Sequence, residues 1–212
     1  MFVTLEGIDR SGKTTQAALL AEALGPRTLR LREPGGTEAG ERIRDLLKDP
    51  ATELDPRAEL LLFCAARAEL CARVIRPALE GGGDVVSDRF IDSTVAYQGA
   101  ARGLGVETVE RLNAVAIAGC EPDLTVLLRI DPQRAADRGQ QRLAEGHADG
   151  SDRFEGEGIS FQRAVAAAYD ELASRHRERI VAIEAEGTPD EVHRQVMEAV
   201  ASRSSQVGGE RR

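Results

Sequence analysis

The apolar run MFVTL at 1–5 leads through Glu6 into GIDRSGKT at 7–14, and KTTQAALLAEAL at 13–24 follows without a break. No other stretch of this chain narrows its fold as far. A short apolar run suits a strand buried on both faces, and the Ala and Leu spacing after Lys13 is helical until Gly25-Pro26 stops it. The joint between them has the spacing G-x4-GK[ST]. Gly7 and Gly12 permit backbone angles that turn successive N–H groups towards one point, and the helix N-terminus adds its dipole. That cradle suits phosphate. Lys13 is long enough to reach the β- and γ-phosphates of a nucleotide, and the Thr14 hydroxyl suits Mg²⁺. Gly7, Ile8, Asp9, Arg10, Ser11, Gly12, Lys13, Thr14 and Thr15 are therefore the candidate nucleotide contacts.

Further strands are expected at 28–31, 84–87, 124–130 and 180–183, separated by helical stretches at about 38–48, 57–79, 91–102, 107–118, 160–177 and 189–202. Asp131-Pro132 has the form of a helix start, and TPDE at 188–191 is a capping box with proline at the first helical position. Alternation of this kind implies an α/β fold, a three-layer α/β/α arrangement around a five-stranded parallel sheet. Residues 138–158 carry five glycines and dense charge, which reads as a mobile lid segment within a single domain over 1–203. Residues 204–212 read as a flexible tail.

The 212 residues are 42% apolar and carry a net charge of −8, which disfavours a general nucleic-acid surface. Aromatics at 3%, with no Trp, leave little for stacking single strands. Cys64, Cys71 and Cys120 form no metal or disulfide pattern, and the three histidines are scattered. No apolar run approaches a membrane span. A soluble cytoplasmic protein is expected.

REPGGTEAGERIRDLL at 32–47, AELLLFCAARAEL at 58–70 and DRFIDSTVAYQGAARGLG at 88–105 together resemble the thymidylate kinases. PDLTVLLRID at 122–131 and DRFEGEGISFQRAVAAAYDEL at 152–172 extend the resemblance to nearly the whole chain. It implies transfer of the γ-phosphoryl group of ATP to dTMP, with Mg²⁺, by a homodimer. Arg44 and Arg89 are similar to the arginines that hold the acceptor phosphate, where a guanidinium fork matches phosphate geometry. Phe63 is expected on the thymine ring, Arg67 and Gln98 at its polar edge, and Tyr97 against a ribose 2′-hydroxyl, with Ser93 and Thr94 lining the same turn. The resemblance puts Asp9 and Asp88 at the acceptor sugar and the Mg²⁺ site, with Thr14 and Asp88 as metal ligands. Glu33 is expected to order its loop or to meet the acceptor side through water. Arg138, Arg142 and Arg153 are the lid's candidate phosphate contacts.

No covalent nucleophile is needed, since the acceptor phosphate oxygen attacks directly. Arg10, Lys13, Asp88, Arg89 and Arg153 are thus the expected catalytic set, acting by alignment and charge neutralisation. Family members draw a charge-stabilising arginine either from the phosphate loop or from the lid, and this chain has Arg10 in one and arginines in the other. Arg10 is expected to take the role, with a salt bridge to a nearby acid as the alternative. The rival readings of the whole chain are a kinase for another pyrimidine monophosphate and a nucleotide-sensing module without turnover. Retention of Lys13, Asp88 and Arg89 speaks against the second.

Overall fold

The structure is a computed structural model describing residues 1–145, 153–154 and 157–210, apart from the side chains of 142, 143 and 206–210. Five strands form one sheet: β1 Phe2–Glu6, β2 Thr28–Arg32, β3 Asp84–Asp88, β4 Leu124–Arg129 and β5 Ile180–Glu184. All pair in parallel in the order β2-β3-β1-β4-β5. The central β1 is buried along its whole length, which is why it reads as an unbroken apolar run. Its neighbours leave it on opposite sides, and in such sheets the crevice for ligands opens beyond the carboxyl ends at that reversal.

The helices are α1 Lys13–Leu24, α2 Glu38–Lys48, α3 Pro56–Leu70, α4 Arg76–Glu80, α5 Ile91–Thr94, α6 Val106–Ile117, α7 Pro132–Ala144, α8 Ile159–Arg175 and α9 Pro189–Glu210. Side chains alternate across β1. Val3 and Leu5 join Ala17, Leu20 and Val196 of α1 and α9, while Phe2 joins Leu70, Ile75 and Phe90 on the other face. Glu6 lies on the face of Phe2 and is fully buried.

Three expectations from the sequence are corrected. The helix at 57–79 is not continuous: Cys71–Ile75 widens into a π turn, with the Arg76 N–H reaching back to the Cys71 carbonyl. Pro77 removes a donor and crowds the carbonyl four residues back, so the helix re-registers just ahead of it. A second π turn, Val95–Ala101, carries Tyr97 and Gln98. Residues 138–144 continue α7 rather than opening a loop, and α9 runs to Glu210 rather than ending near Ser202. The remainder of the expected lid, with His147, and residues 211–212 lie partly or wholly outside the described residues. No helix among the described residues is long and apolar enough to cross a membrane.

Candidate active site

The loop between β1 and α1 is built on positive backbone angles. Gly7 has φ 140°, Arg10 φ 64° and Gly12 φ 100°. A Cβ on Gly7 would sit 2.5 Å from the Leu128 carbonyl oxygen of β4, so the loop approaches the sheet as only glycine allows. Lys13 folds back over this loop, donating from Nζ to the Ile8 carbonyl at 2.7 Å. Burial, then the nearby Arg89 guanidinium, lower its pKa to about 8.

β1 and β3 pair with Leu5 opposite Asp88. That register carries Asp88 to the loop, where Thr14 Oγ1 donates to its Oδ2 at 2.6 Å. The two expected metal ligands are therefore in contact, and among the described residues no group of three or more His, Cys, Asp or Glu side chains is placed to hold a metal ion. A hydroxyl and a carboxylate in contact suit a hard cation that keeps its remaining positions for phosphates and water.

Arg89 follows at φ 72°, a second non-glycine residue in the left-handed region beside Arg10. Its Nη1 donates to Gly7 O at 3.1 Å and Ser93 Oγ at 3.0 Å, and its Nη2 donates to Asp9 Oδ1 and, at 3.2 Å, to Tyr97 OH. Burial alone would raise the Asp9 carboxyl, but the Arg89 guanidinium and then Lys13 outweigh it and hold its pKa below the ordinary value. Asp9 also accepts from Tyr97 OH and Gln162 Nε2, each at 3.2 Å. The Ser93 hydroxyl, on the cavity wall, donates to Glu6 Oε2 at 2.6 Å while accepting from Arg89, so it supports that arginine. Thr94 is 1% exposed at the cleft wall, and its hydroxyl has no partner among the described residues.

One cavity of ≈ 1200 Å³ joins these groups to α3. It exceeds the roughly 300–1,000 Å³ of ordinary single-ligand sites, as two nucleotides require. Gly12, Lys13, Thr14, Thr15 and Arg138 line one part of it, and Phe63, Arg67 and Gln98 another. Gly7 and Ile8 are not on its wall: both border a separate small crevice beside β4, so they shape the loop from behind. Ser11 is 2% exposed but reaches the cavity. Arg138 Nη2 donates to the Ala185 carbonyl at 2.9 Å, and the Arg142 side chain is outside the described residues.

Arg67 was expected to need a polar partner from the substrate; the protein supplies most of it. At 1% exposure, its guanidinium pairs with Glu33 at 2.5 Å, Asn113 Oδ1 at 2.7 Å and the Phe90 carbonyl at 3.0 Å. Nη1 keeps one N–H beyond its Asn113 bond. Glu33 thereby ties its loop to α3, the first of its two expected roles. Gln98 Nε2 likewise donates inward, to Glu59 Oε1 at 2.8 Å. Arg44 donates to the Pro34 carbonyl at 2.8 Å from α2, within the cavity wall.

Arg153 departs from expectation. It pairs with Glu59 at 2.6 Å and donates to the Leu47 carbonyl at 3.1 Å, and its guanidinium lies 5.0 Å from the Phe154 ring. Phe154 in turn touches Phe63, with ring centroids 5.8 Å apart. Arg153 thus sits at the Phe63 end of the cleft, where the buried carboxylate of Glu59 draws it, and not at the phosphate loop. Glu59, Asn113, Gln162 and Tyr169 bond Gln98, Arg67, Asp9 and Arg89 without lining the cavity themselves, and the sequence alone did not single them out. Glu59, Phe63 and Arg67 fall at i, i+4 and i+8 of one helix face, a spacing that was visible. Asn113 and Tyr169 carried no such signal, because they arrive from distant helices.

The family model for thymidylate kinase matches residues 5–196. A thymidylate kinase of Syntrophotalea carbinolica is 44% identical over 212 residues, covering 98% of each chain. One of Solidesulfovibrio magneticus is 48% identical, covering 91% of this chain and 94% of the other. The crystal structure of thymidylate kinase from Ehrlichia chaffeensis superposes with a TM-score of 0.77 at 33% identity, covering 95% of this chain and 98% of that one. With that match on a phosphate loop joined to an arginine-lined cleft, the chain belongs to the thymidylate kinase family.

Proposed function

We propose that the protein transfers the γ-phosphoryl group of ATP to dTMP, giving dTDP and ADP, in the cytoplasm. The observation that carries this reading is the single cavity with the phosphate loop and the Phe63–Arg67–Gln98 wall on it, and Arg89 on both the loop and Asp9. ATP binds on the loop, with Lys13 released from the Ile8 carbonyl to its phosphates. Thr14 and Asp88 would hold Mg²⁺, which would supply positive charge to offset that of the ATP phosphates. Arg44 and Arg89 hold the acceptor phosphate, offsetting its repulsion from the donor. Phe63 packs on the base, and the remaining Arg67 N–H donates to its carbonyl. Asp9 and Tyr97 take the sugar side.

Arg10 supplies the charge at the transferring phosphoryl group. It lines the cavity, whereas Arg153 is committed to Glu59. The active unit is a homodimer. Leu61 of α3 and Val115 of α6, 55% and 78% exposed, lie on two helices packed together, an apolar face suited to a second copy.

ADP release measured with dTMP, dUMP, UMP and CMP tests the reading. Acceptor-dependent release with dTMP preferred is expected. A preference for CMP or UMP, or no acceptor-dependent release, would overturn it.

A further inference from the structure

We propose that Gly139 of α7 is a positioning residue: its missing side chain is the seat for the Arg10 guanidinium, and it decides where that charge is held. The proposal rests on the reading of Arg10 given above. Gly139 is buried in the middle of a thirteen-residue helix, where glycine costs about 1 kcal/mol against alanine. A Cβ built there would lie 2.5 Å from Arg10 Nη1 and closer still to Cζ and Nε. The three heavy atoms nearest to that Cβ all belong to the Arg10 guanidinium group, which therefore occupies the space where a side chain would begin.

Both sides of this contact are held. Arg134 pairs with Glu186, Arg138 Nη2 donates to the Ala185 carbonyl at 2.9 Å, and Ala135 is 4% exposed, so the helix is moored to the end of β5. On the other side, Arg10 leaves the loop at φ 64° between Asp9, paired to Arg89, and the loop turn closed by the Ser11 N–H on the Ile8 carbonyl. Between the two backbones, the Arg10 side chain is the part with rotatable bonds. A methyl group at 139 therefore displaces the guanidinium rather than either backbone. The bare helix surface also lets the planar group lie close to α7, which couples the phosphate loop to that helix.

A double-mutant cycle in kcat tests this. Gly139→Ala should lower kcat by roughly 10–100-fold, the scale of ~1 Å misplacement, with KM for ATP and dTMP little changed. Its melting temperature should not fall, since alanine favours the helix. In the Arg10→Ala background, adding Gly139→Ala should change kcat by less than about twofold, because the truncated side chain no longer reaches the seat. Loss with Arg10→Ala but none with Gly139→Ala overturns the role of Gly139 alone. Multiplying losses in the double variant overturn it too. Unchanged kcat in Arg10→Ala removes both the Arg10 reading and this one.

Discussion

Lys13 shows how a single buried charge makes binding depend on pH. Burial and the Arg89 guanidinium lower its pKa to about 8. Bound phosphates favour the charged amine and raise it, so nucleotide binding takes up a proton above that value. The contribution is fully present below pH 8 and is lost as pH rises through it. ATP binding should weaken by roughly tenfold at pH 9 relative to pH 7. Titration of a non-hydrolysable ATP analogue at the two pH values checks this; equal dissociation constants would show that Lys13 is not the titrating group. The lysine itself was legible from the loop spacing. Its low pKa was not, because Arg89 comes from the end of β3, about 75 positions along the chain. Arg67 teaches the same point: its need for a polar partner was plain, but Glu33 and Asn113 were brought to it by packing.

Between elements, the Arg67–Glu33 pair is a fastening. It joins α3 to the loop after β2, and Asn113 adds α6. Burial raises the Glu33 pKa, partly offset by Arg67. Removing one partner leaves a charge without its counter-ion, so Glu33→Ala should cost about 3–5 kcal/mol in urea unfolding. The double replacement Glu33→Leu with Arg67→Met should be less destabilised than that single variant; a larger loss would mean that the pair is net stabilising. Local helix starts were readable as far as they depend on neighbours. Thr188 and Glu191 form the expected capping box, with the Thr188 N–H on Glu191 Oε2 at 2.8 Å and the Glu191 N–H on Thr188 Oγ1 at 3.3 Å. Asp131 Oδ1 accepts from the Gln133 N–H at 2.8 Å, as a helix start requires. The π turns and the continuation of α7 through Gly139 were not readable. A glycine in a charged stretch looks like a loop until Arg10 is seen lying on it.

The whole molecule is tied together under its site by Glu6. This fully buried carboxyl accepts from the Phe90 N–H at 2.7 Å, Ser93 Oγ at 2.6 Å and Tyr169 OH at 2.8 Å, linking β1 to the Phe90–Ser93 segment and α8. Burial, then the charge of Asp92, raise its pKa from 4.5 to about 7. The unfolded chain loses this proton first, so its contribution is full below pH 4.5 and is lost as pH rises through 7. Glu6→Gln should reduce the fall in unfolding free energy between pH 4.5 and 7.5, by on the order of 2 kcal/mol. An unchanged difference would place the titration on other groups. At the same scale, if the proposed homodimer forms through this face, Val115→Glu with Leu61→Glu should give a folded monomer in sedimentation; a wild-type mass that is already monomeric would remove that interface. The sequence by itself determined the strand and helix order and the phosphate loop, because these follow from periodicity and glycine geometry, whereas the proposed base contacts Phe63, Arg67 and Gln98 were legible only through resemblance to the thymidylate kinases. Tertiary structure alone decided which arginine faces the cavity. Arg153 is drawn to the buried carboxylate of Glu59 and the Arg10 guanidinium lies against Gly139, contacts that exist only once distant parts of the chain have folded together.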